Sequence, residues 1–183
     1  MRITQTNLKD CFIIESSVFE DERGYFFEGF NQKKLEELSG VRFIPKQLNQ
    51  SSSSYGVLRG LHFQVPPKAQ AKLVSCVEGE VLDVAVDLRK ESDSYGSYTA
   101  VKLSEENKKS LFIPNGMAHG FLVLSKVAKL MYLVDELYSP EHDSGIAYND
   151  SQLKIEWNIP QENIILSEKD QQLPMLAEIK LNF

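Results

Sequence analysis

Short runs in which apolar residues alternate with polar ones, or follow one another without interruption, dominate the sequence from residue 57 to residue 137. Such runs are typical of β-strands, and the turn signals between them recur about every 8 to 15 residues. Clear strand candidates are residues 72–77, 81–88, 98–103, 111–113, 120–124 and 127–137. Many short strands with few helices indicate an all-β chain, built as an antiparallel sandwich or barrel. A double-sheet jelly roll that encloses a cavity fits best.

Two of these runs predict a local connection. Residues 72–77 and 81–88 flank the short turn Glu78-Gly79-Glu80, so we expect them to pair as a β-hairpin. Alternation places Asp83 and Asp87 on one face of the second run. The other face carries Leu82, Val84, Val86 and Leu88.

Helical signal is scarce, and the best candidate lies early in the chain. It covers residues 32–39, with Asn31 as the N-cap and Gly40 just past the end. The four serines at 51–54 are interpreted as a loop that enters the next strand.

The C-terminal third is expected to add short strands or covering segments around Trp157, residues 164–166 and residues 175–181. The sequence shows no internal repeat, low-complexity tract or linker. A length of 183 residues suits one domain with a substantial core, so we predict a single domain over residues 1–183.

Charge narrows the class of ligand. The formal net charge is -6, whereas a general binder of nucleic acid or of anionic membranes is usually basic. Neither nucleic acid nor a membrane is therefore expected as a partner. A small anionic ligand remains compatible, because a few arginines in one pocket can outweigh a mildly acidic exterior.

The two cysteines, Cys11 and Cys76, have no CxxC spacing, so neither a zinc site nor a disulfide framework is indicated. Cys76 lies in an apolar run and is expected to be a buried thiol. Residues 1–10 contain no apolar signal-peptide core, and no run approaches transmembrane length. The expected location is the cytoplasm.

Polar side chains are concentrated between residues 51 and 76, in two strand-like runs joined by Pro66-Pro67. They are Arg59, His62, Gln64, Gln70 and Lys72. A core strand has no use for so many polar groups, whereas a pocket wall presents donors, acceptors and a base inside an apolar shell. His62 and Arg59 fall on opposite faces of a regular strand, and Gly60 could mark a bulge that re-aims one of them.

Each histidine candidate has an ordinary structural interpretation. Taken alone, His62 is more often a satisfied strand histidine than a catalytic one. Its neighbours Arg59, Gln64 and Lys72 shift that balance, because they are costly to bury without a polar task. His119 follows the turn at Pro114 and Gly116, where a solvent-exposed turn histidine and a functional one are equally compatible with the sequence.

The remaining candidates also stay open on spacing alone. Tyr132 on a strand can be packing, or a phenol that acts as general acid at a cavity. Ser167-x-x-Asp170 fits a capping box, and spacing favours that role over orientation of His62. Gln47 and Asn49 point the same way, as a ladder of surface amides or as a polar shelf in the pocket.

A metal site is not expected. A His-x-His pair would suggest one, but the position two residues after His62 is Gln64. His142 lies in a polar loop at 139–144 and is expected to be solvated.

Together these segments closely resemble the dTDP-4-dehydrorhamnose 3,5-epimerases, enzymes of cupin-type jelly-roll fold. The similarity extends from Arg23-Gly24 to Pro174. The motifs that carry it are DxRGxFxE (21–28), QLN (47–49), GVLRGLHFQ (56–64), PP (66–67), QAKLV (70–74), GEVLDVAVDLR (79–89), IPxGxAHGF (113–121) and LSxKD (166–170). In this order and spacing they are highly specific.

The resemblance implies conversion of dTDP-4-dehydro-6-deoxyglucose to dTDP-4-dehydro-L-rhamnose by inversion of C3 and C5, a step of dTDP-L-rhamnose biosynthesis. It implies that His62 is the base and that Asp170 is its partner. This role overrules the preference for a cap, and the two roles can coexist. Tyr132 would be the acid on the opposite face of the sugar, and Lys72 would stabilise the enolate oxygen.

The resemblance also implies a set of substrate contacts. They are Arg23, Phe26, Glu28, Gln47, Asn49, Arg59, His119, Tyr138, Asp143 and Lys169. Asp143 stands where the family usually has glutamate, a shorter carboxylate that would weaken a ligand contact more than the chemistry.

The family works without a cofactor and is dimeric. Its N-terminal segment faces the partner subunit, so the resemblance implies a homodimer in which Arg23 and Glu28 complete the neighbour's site.

Other functions share this scaffold. A C5-only or C3-only epimerase and a 3,4-ketoisomerase of dTDP-sugars are the nearest alternatives, and the combination of His62, Tyr132 and Lys72 favours epimerisation over them. A non-catalytic cupin module that binds a nucleotide sugar is an alternative of a different class. A metal-dependent cupin oxygenase is the least favoured.

Overall fold

The computed structural model describes residues 1–179 and 183 and contains two antiparallel β-sheets that pack face to face. The first sheet has the strand order β1-β2-β10-β7-β12-β5. Its strands are β1 Arg2–Gln5, β2 Phe12–Glu15, β10 Lys109–Ile113, β7 Lys72–Glu78, β12 Val127–Val134 and β5 Gln47–Ser54.

The second sheet has the strand order β13-β6-β11-β8-β9. Its strands are β13 Asp143–Gly145, β6 Leu58–Gln64, β11 Met117–Val123, β8 Glu80–Asp87 and β9 Tyr98–Ser104. β3 Val18–Asp21 and β4 Gly24–Phe27 form a separate two-stranded hairpin. The double-sheet jelly roll expected from the strand pattern is confirmed.

Apolar side chains fill three layers around the sheets. The layer between the sheets includes Val74 and Leu130 from the first sheet and Ala85 and Phe121 from the second. The outer face of the second sheet is covered by the C-terminal segment, whose Trp157 belongs to the same cluster as the outward-facing residues of β8. Both faces of β8 are therefore buried, and Asp83 and Asp87 lie on its inner face beside the apolar Val81 and Ala85.

The helix α1, Gln32–Ser39, has the predicted bounds and covers the outer face of the first sheet through Leu35. The Asn31 side chain accepts a hydrogen bond from the backbone N–H of Lys34, and Gly40 ends the helix in the left-handed conformation. Both caps were predicted, because each depends on a local residue preference.

The predicted hairpin between residues 72–77 and 81–88 is wrong. β7 pairs with β10 and β12 in the first sheet, whereas β8 pairs with β9 and β11 in the second. The chain crosses from one sheet to the other at Gly79, where φ is +75° and an added Cβ would lie 2.1 Å from the carbonyl oxygen of Val127. The glycine turn therefore serves a corner between sheets, which turn composition cannot distinguish from a hairpin.

The four serines at 51–54 form the second half of β5 and do not form a loop. They pair with residues 127–130 of β12 in a continuous register. Ladder hydrogen bonds to β12 override the weak strand propensity of serine, and small side chains such as those of Ser51 and Ser53 fit an inner face beside a cavity.

The C-terminal segment covers the second sheet with one-turn helices rather than with further strands. They are the 3₁₀ turns Pro140–His142, Gln161–Asn163 and Leu176–Glu178, and the α-helical turn α2, Glu168–Gln171. Ile165 makes an isolated bridge to Val57. The interpretation as covering segments is correct for 164–166 and 175–179, while residues 180 and 181 of that prediction lie outside the described residues.

Among the described residues, none of the helices combines the length and the apolar character needed to cross a bilayer.

Candidate active site

A cavity of about 740 Å³ opens between the two sheets, beside the apolar layer. Most of the predicted site residues border it: Gln47, Asn49, Arg59, His62, Lys72, His119, Tyr132, Tyr138, Asp143, Lys169 and Asp170. Arg59 and Lys169 are exposed, so the cavity opens to solvent on their side, whereas Lys72 and Asp170 are buried at its wall.

A β-bulge in β6 turns two residues of opposite phase toward this cavity. His62 pairs with His119 of β11 and Arg59 pairs with Phe121, so the three-residue step from 59 to 62 matches a two-residue step on the partner strand. Gly60, within the bulge, has φ +126°, and an added Cβ would lie 2.5 Å from the Cα of Gly120. The bulge predicted at Gly60 is confirmed.

The His62 ring is paired with a buried carboxylate. Its Nε2 lies 2.6 Å from Oδ1 of Asp170. Burial alone would raise the pKa of Asp170, but the hydrogen bonds and charges of its neighbours, with His62 first and Ser167 and Lys169 after it, outweigh burial and lower that pKa. Asp170 is therefore an ionised partner that can fix the ring tautomer and stabilise an imidazolium.

Half of the predicted capping box at Ser167 is present. The backbone N–H of Asp170 donates to Oγ of Ser167 at 3.1 Å, at the start of α2. The Asp170 carboxylate bonds to His62 instead of returning to the backbone of Ser167. The contact with His62, which spacing had ranked second, is therefore the one that the side chain makes.

Tyr132 and Lys72 reach the cavity from the opposite sheet. They lie on neighbouring strands, where Tyr132 pairs with Val74 and Val134 with Lys72, so both side chains share the inner face. Full burial lowers the pKa of Lys72 to about 8, although the charges of Asp143 and Asp83 oppose the shift. Burial raises the pKa of Tyr132, which keeps the phenol protonated.

His119 is buried, so the exposed-turn interpretation is wrong. It is the third residue of β11, and its Nε2 lies 2.7 Å from Oδ1 of Asp83 on β8. Sequence reasoning missed Asp83 as a member of the site. The signal was a carboxylate within an apolar strand, but alternation gives its face and not its partner.

Gln47 and Asn49 form a polar shelf in the cavity, which decides between the two interpretations of this pair. Nε2 of Gln47 donates to Oδ1 of Asn49 at 2.7 Å. At the rim, Asp143 accepts hydrogen bonds from Nζ of Lys169 and from the hydroxyl of Tyr138, which ties three predicted contact residues together.

Gln64 and Gln70 line the cavity as predicted, but their amides are used to hold its wall. Nε2 of Gln64 donates to the carbonyl oxygen of Lys68 at 2.7 Å, and Nε2 of Gln70 donates to that of Glu136 at 2.8 Å. Oε1 of Gln64 also accepts from the backbone N–H of Ser139, so both ends of this amide hold the wall of the pocket.

Three predicted contact residues are not brought into the cavity of the same chain. Arg23 and Phe26 lie on or beside the β3–β4 hairpin, and Glu28 follows it. Arg23 pairs with Asp21, and Glu28 pairs with Lys34. Phe26 is 66% exposed, which leaves an aromatic surface on this hairpin.

The arrangement suits the transfer of protons on two sides of one small molecule. The imidazole of His62, bonded to Asp170 of α2, borders the cavity from the second sheet, and the phenol of Tyr132 and the amine of Lys72 border it from the first. The volume of about 740 Å³ lies within the range of pockets that hold small molecules. Within the described residues, no group of three or more His, Cys, Asp or Glu side chains is placed to hold a metal ion.

The family model described as dTDP-4-dehydrorhamnose 3,5-epimerase matches residues 5–178. The chain is 50% identical over 170 residues to the dTDP-4-dehydrorhamnose 3,5-epimerase of Shigella flexneri, with 93% of each chain covered.

Two solved structures resemble the whole molecule. The crystal structure of dTDP-4-dehydrorhamnose 3,5-epimerase from Elizabethkingia anophelis aligns with a TM-score of 0.94 and 54% identity, covering 97% of each chain. A 3,5-epimerase from Legionella pneumophila in complex with dTDP-4-keto-L-rhamnose aligns with a TM-score of 0.94 and 44% identity, covering 98% of this chain and 94% of that one.

Proposed function

The chain belongs to the dTDP-4-dehydrorhamnose 3,5-epimerase family, of cupin-type jelly-roll fold, and we propose that its cavity performs the family's reaction with His62 as base and Tyr132 as acid. The reaction is 3,5-epimerisation of dTDP-4-dehydro-6-deoxyglucose to dTDP-4-dehydro-L-rhamnose in dTDP-L-rhamnose biosynthesis. The observation that carries the assignment of roles is the placement of His62 and Tyr132 on opposite sheets around one cavity bordered by Lys72.

Each inversion begins with removal of a proton from a carbon beside the C4 ketone. His62 takes the proton, the electron pair of the C–H bond becomes the enolate, and the C4 oxygen acquires negative charge. The ammonium of Lys72 stabilises that oxygen where the charge develops. Asp170 stabilises the imidazolium that His62 has become.

Inversion requires that the new proton arrive on the other face of the ring. Tyr132 stands on the other sheet and donates its hydroxyl proton to the carbon as the enolate collapses to the ketone. A proton returned by His62 would restore the original configuration. C3 and C5 both adjoin C4, so the same groups serve both inversions.

Cationic and aromatic groups at the cavity mouth suit the nucleotide part of the substrate. Arg59 has a planar fork that fits a diphosphate. Lys169 supplies a second cation at the rim. The ring of Tyr138, which is 54% exposed, offers a face on which the thymine of the nucleotide can stack. Gln47 and Asn49 supply the amide groups of the shelf.

We further propose a homodimer in which the β3–β4 hairpin of one chain completes the cavity of the other. The hairpin exposes Phe19, Tyr25 and Phe26 at 64%, 58% and 66%, a surface that a partner would cover. In such a dimer Arg23, Phe26 and Glu28 would contact substrate in the neighbouring site. Two free, buried cysteines fit the reducing environment of the cytoplasm, which we propose as the location.

The test of the base is His62→Ala. We expect turnover to fall by about 10²- to 10⁴-fold or more, because general base catalysis is lost, with the thermal unfolding midpoint retained. The measurement follows loss of the C3 and C5 protons of dTDP-4-dehydro-6-deoxyglucose by NMR in D₂O. Exchange at the wild-type rate in this variant would refute the assignment.

His142→Ala is the matched control, since His142 bonds to Ser139 and does not border the cavity. It should leave turnover unchanged.

Tyr132→Phe should impair inversion more than proton removal, and equal loss of both would contradict the split roles. The same spectra distinguish the wild-type alternatives: a C3-only or C5-only epimerase labels one carbon, a ketoisomerase yields a different product, and a binding module labels neither carbon.

A further inference from the structure

Two aspartates of β8 are fully buried on the same inner face of the sandwich. Asp83 and Asp87 both have 0% exposure and lie four residues apart on one strand. They differ in how well their charges are satisfied. The Asp87 carboxylate accepts hydrogen bonds from the side chains of Arg89, Ser92 and Ser94. This is the pattern of a carboxylate that stabilises the fold.

Asp83 has a much poorer set of partners. Oδ1 is bonded to Nε2 of His119 at 2.7 Å, while Oδ2 is buried and has no hydrogen-bond partner among the described residues. Its neighbours on the same face, Val81 and Ala85, belong to the apolar layer. A buried carboxylate with an unsatisfied oxygen costs stability, and an apolar side chain of similar size would serve the fold better.

The one partner of Asp83 stands beside the proposed base. His119 and His62 are direct cross-strand partners on β11 and β6, and such residues have Cβ atoms about 5 Å apart. Both rings border the cavity. Because Nε2 of His119 is bonded to Asp83, the nitrogen left for a ligand is Nδ1.

We propose that Asp83 is a positioning residue for the epimerisation: its carboxylate holds the His119 ring so that Nδ1 is presented to the sugar beside His62. This inference rests on the function proposed above and adds a second His–Asp pair to it. His62–Asp170 moves the proton, whereas His119–Asp83 fixes the sugar relative to the base. A misplacement of about 1 Å at the reacting carbon can cost about 10²-fold in rate.

The negative charge of Asp83 also affects Lys72, a residue of the first sheet. It opposes the lowering of the Lys72 pKa that burial causes, and so favours the ammonium form. Asp83 lies on β8, so this support comes from the sheet opposite the lysine. A neutral residue at position 83 would leave Lys72 with less compensation for its burial.

The test compares Asp83→Asn with Asp87→Asn, two isosteric changes on one strand. For Asp83→Asn we expect kcat on dTDP-4-dehydro-6-deoxyglucose to fall about 10²-fold, with no loss in the thermal unfolding midpoint, because an unsatisfied charge is removed. For Asp87→Asn we expect the reverse, a midpoint lowered by several degrees and an unchanged kcat. The dissociation constant of dTDP, which lacks the sugar, should be the same in wild type and in Asp83→Asn.

A second measurement does not depend on turnover. The ¹⁵N spectrum of the histidine rings should show His119 protonated at Nε2 in the wild type and altered in Asp83→Asn, since an amide can donate to the ring nitrogen that the carboxylate accepted from. An unchanged His119 ring, an unchanged kcat, or a loss of stability equal to that of Asp87→Asn would each overturn the proposal. If the wild type itself exchanged neither C3 nor C5 protons, the proposed function would fail while the ring spectrum still tested the pairing.

Discussion

At the scale of single residues, the site is built from polar side chains whose burial sets their protonation. Lys72 is the clearest case, since full burial lowers its pKa to about 8 and the charges of Asp143 and Asp83 only partly oppose that shift. The ammonium is therefore present at neutral pH but is lost within a range in which the protein can be assayed. Tyr132 titrates at higher pH, because burial raises its pKa above the usual 10.0.

We predict that kcat/KM declines as the pH rises above about 8, because the free enzyme then loses the Lys72 charge that we propose stabilises the enolate. Lys72→Arg should keep its charge through this range and move the alkaline decline to higher pH, at a lower maximal rate. Lys72→Met should be slow at every pH. An alkaline decline at the same pH in wild type and in Lys72→Arg would show that another group is responsible.

The sequence predicted which residues border the cavity better than it predicted which residues contact one another there. The polar content of residues 51–76 marked the pocket wall, and the cavity-lining positions of His62 and Lys72 agree with it. The partners of the two histidines were harder to predict. Asp170 is 108 residues from His62 in the chain, and Asp83 is 36 residues from His119. Only the tertiary fold brings those carboxylates to the rings.

At the scale of elements, the bulge in β6 determines what the cavity contains. A regular strand would send Arg59 to the face opposite His62, and the diphosphate and the sugar would then meet different sides of the sheet. The additional residue at Gly60 aligns the two side chains. Close approach of Gly120 on β11 leaves no space for a side chain there.

We predict that Gly60→Ala destabilises the fold by about 3 kcal/mol or more, because its Cβ would lie 2.5 Å from the Cα of Gly120 at a φ of +126°. Gly96→Ala is the control, since Gly96 also has a positive φ, +71°, but open space around its Cβ. It should cost about 1 kcal/mol and leave kcat unchanged. If chemical denaturation showed equal losses in the free energy of unfolding for the two variants, backbone conformation, and not the approach of β11, would explain the glycine at position 60.

Local patterns predicted elements better than they predicted connections. The bounds and caps of α1 follow from Asn31 and Gly40 and were predicted correctly. The turn at Gly79 was assigned to a hairpin, because the sequence around a glycine turn does not state which sheet the next strand joins. The serines of β5 were assigned to a loop, since their pairing with β12 is a long-range contact that outweighs local propensity.

At the scale of the whole molecule, the sandwich provides two facing walls and leaves one part of the predicted site outside. The β3–β4 hairpin carries Arg23 and Phe26 away from the cavity of its own chain and exposes aromatic rings. Self-association that covers this hairpin would deliver those side chains to a second copy. A C₂ dimer would do so reciprocally and yield two equivalent sites.

We predict that His62→Ala and Arg23→Glu, each poorly active alone, restore activity when their chains are mixed and allowed to exchange. A heterodimer would contain one cavity with an intact His62 and an intact Arg23 from the other chain, giving up to roughly a quarter of wild-type activity. The control pairs His62→Ala with Lys72→Met, which alter the same cavity and should restore nothing. Absence of recovery in the first mixture would place Arg23 outside the neighbour's site.

In the proposed mechanism the base and the acid belong to different sheets, so each inversion leaves the enzyme in an altered state. The imidazole of His62 has gained a proton and the phenol of Tyr132 has lost one. Both groups must return to their starting protonation before they can act on the second carbon. The exposure of Arg59 and Lys169 shows that the cavity communicates with solvent, the source from which both groups can be restored.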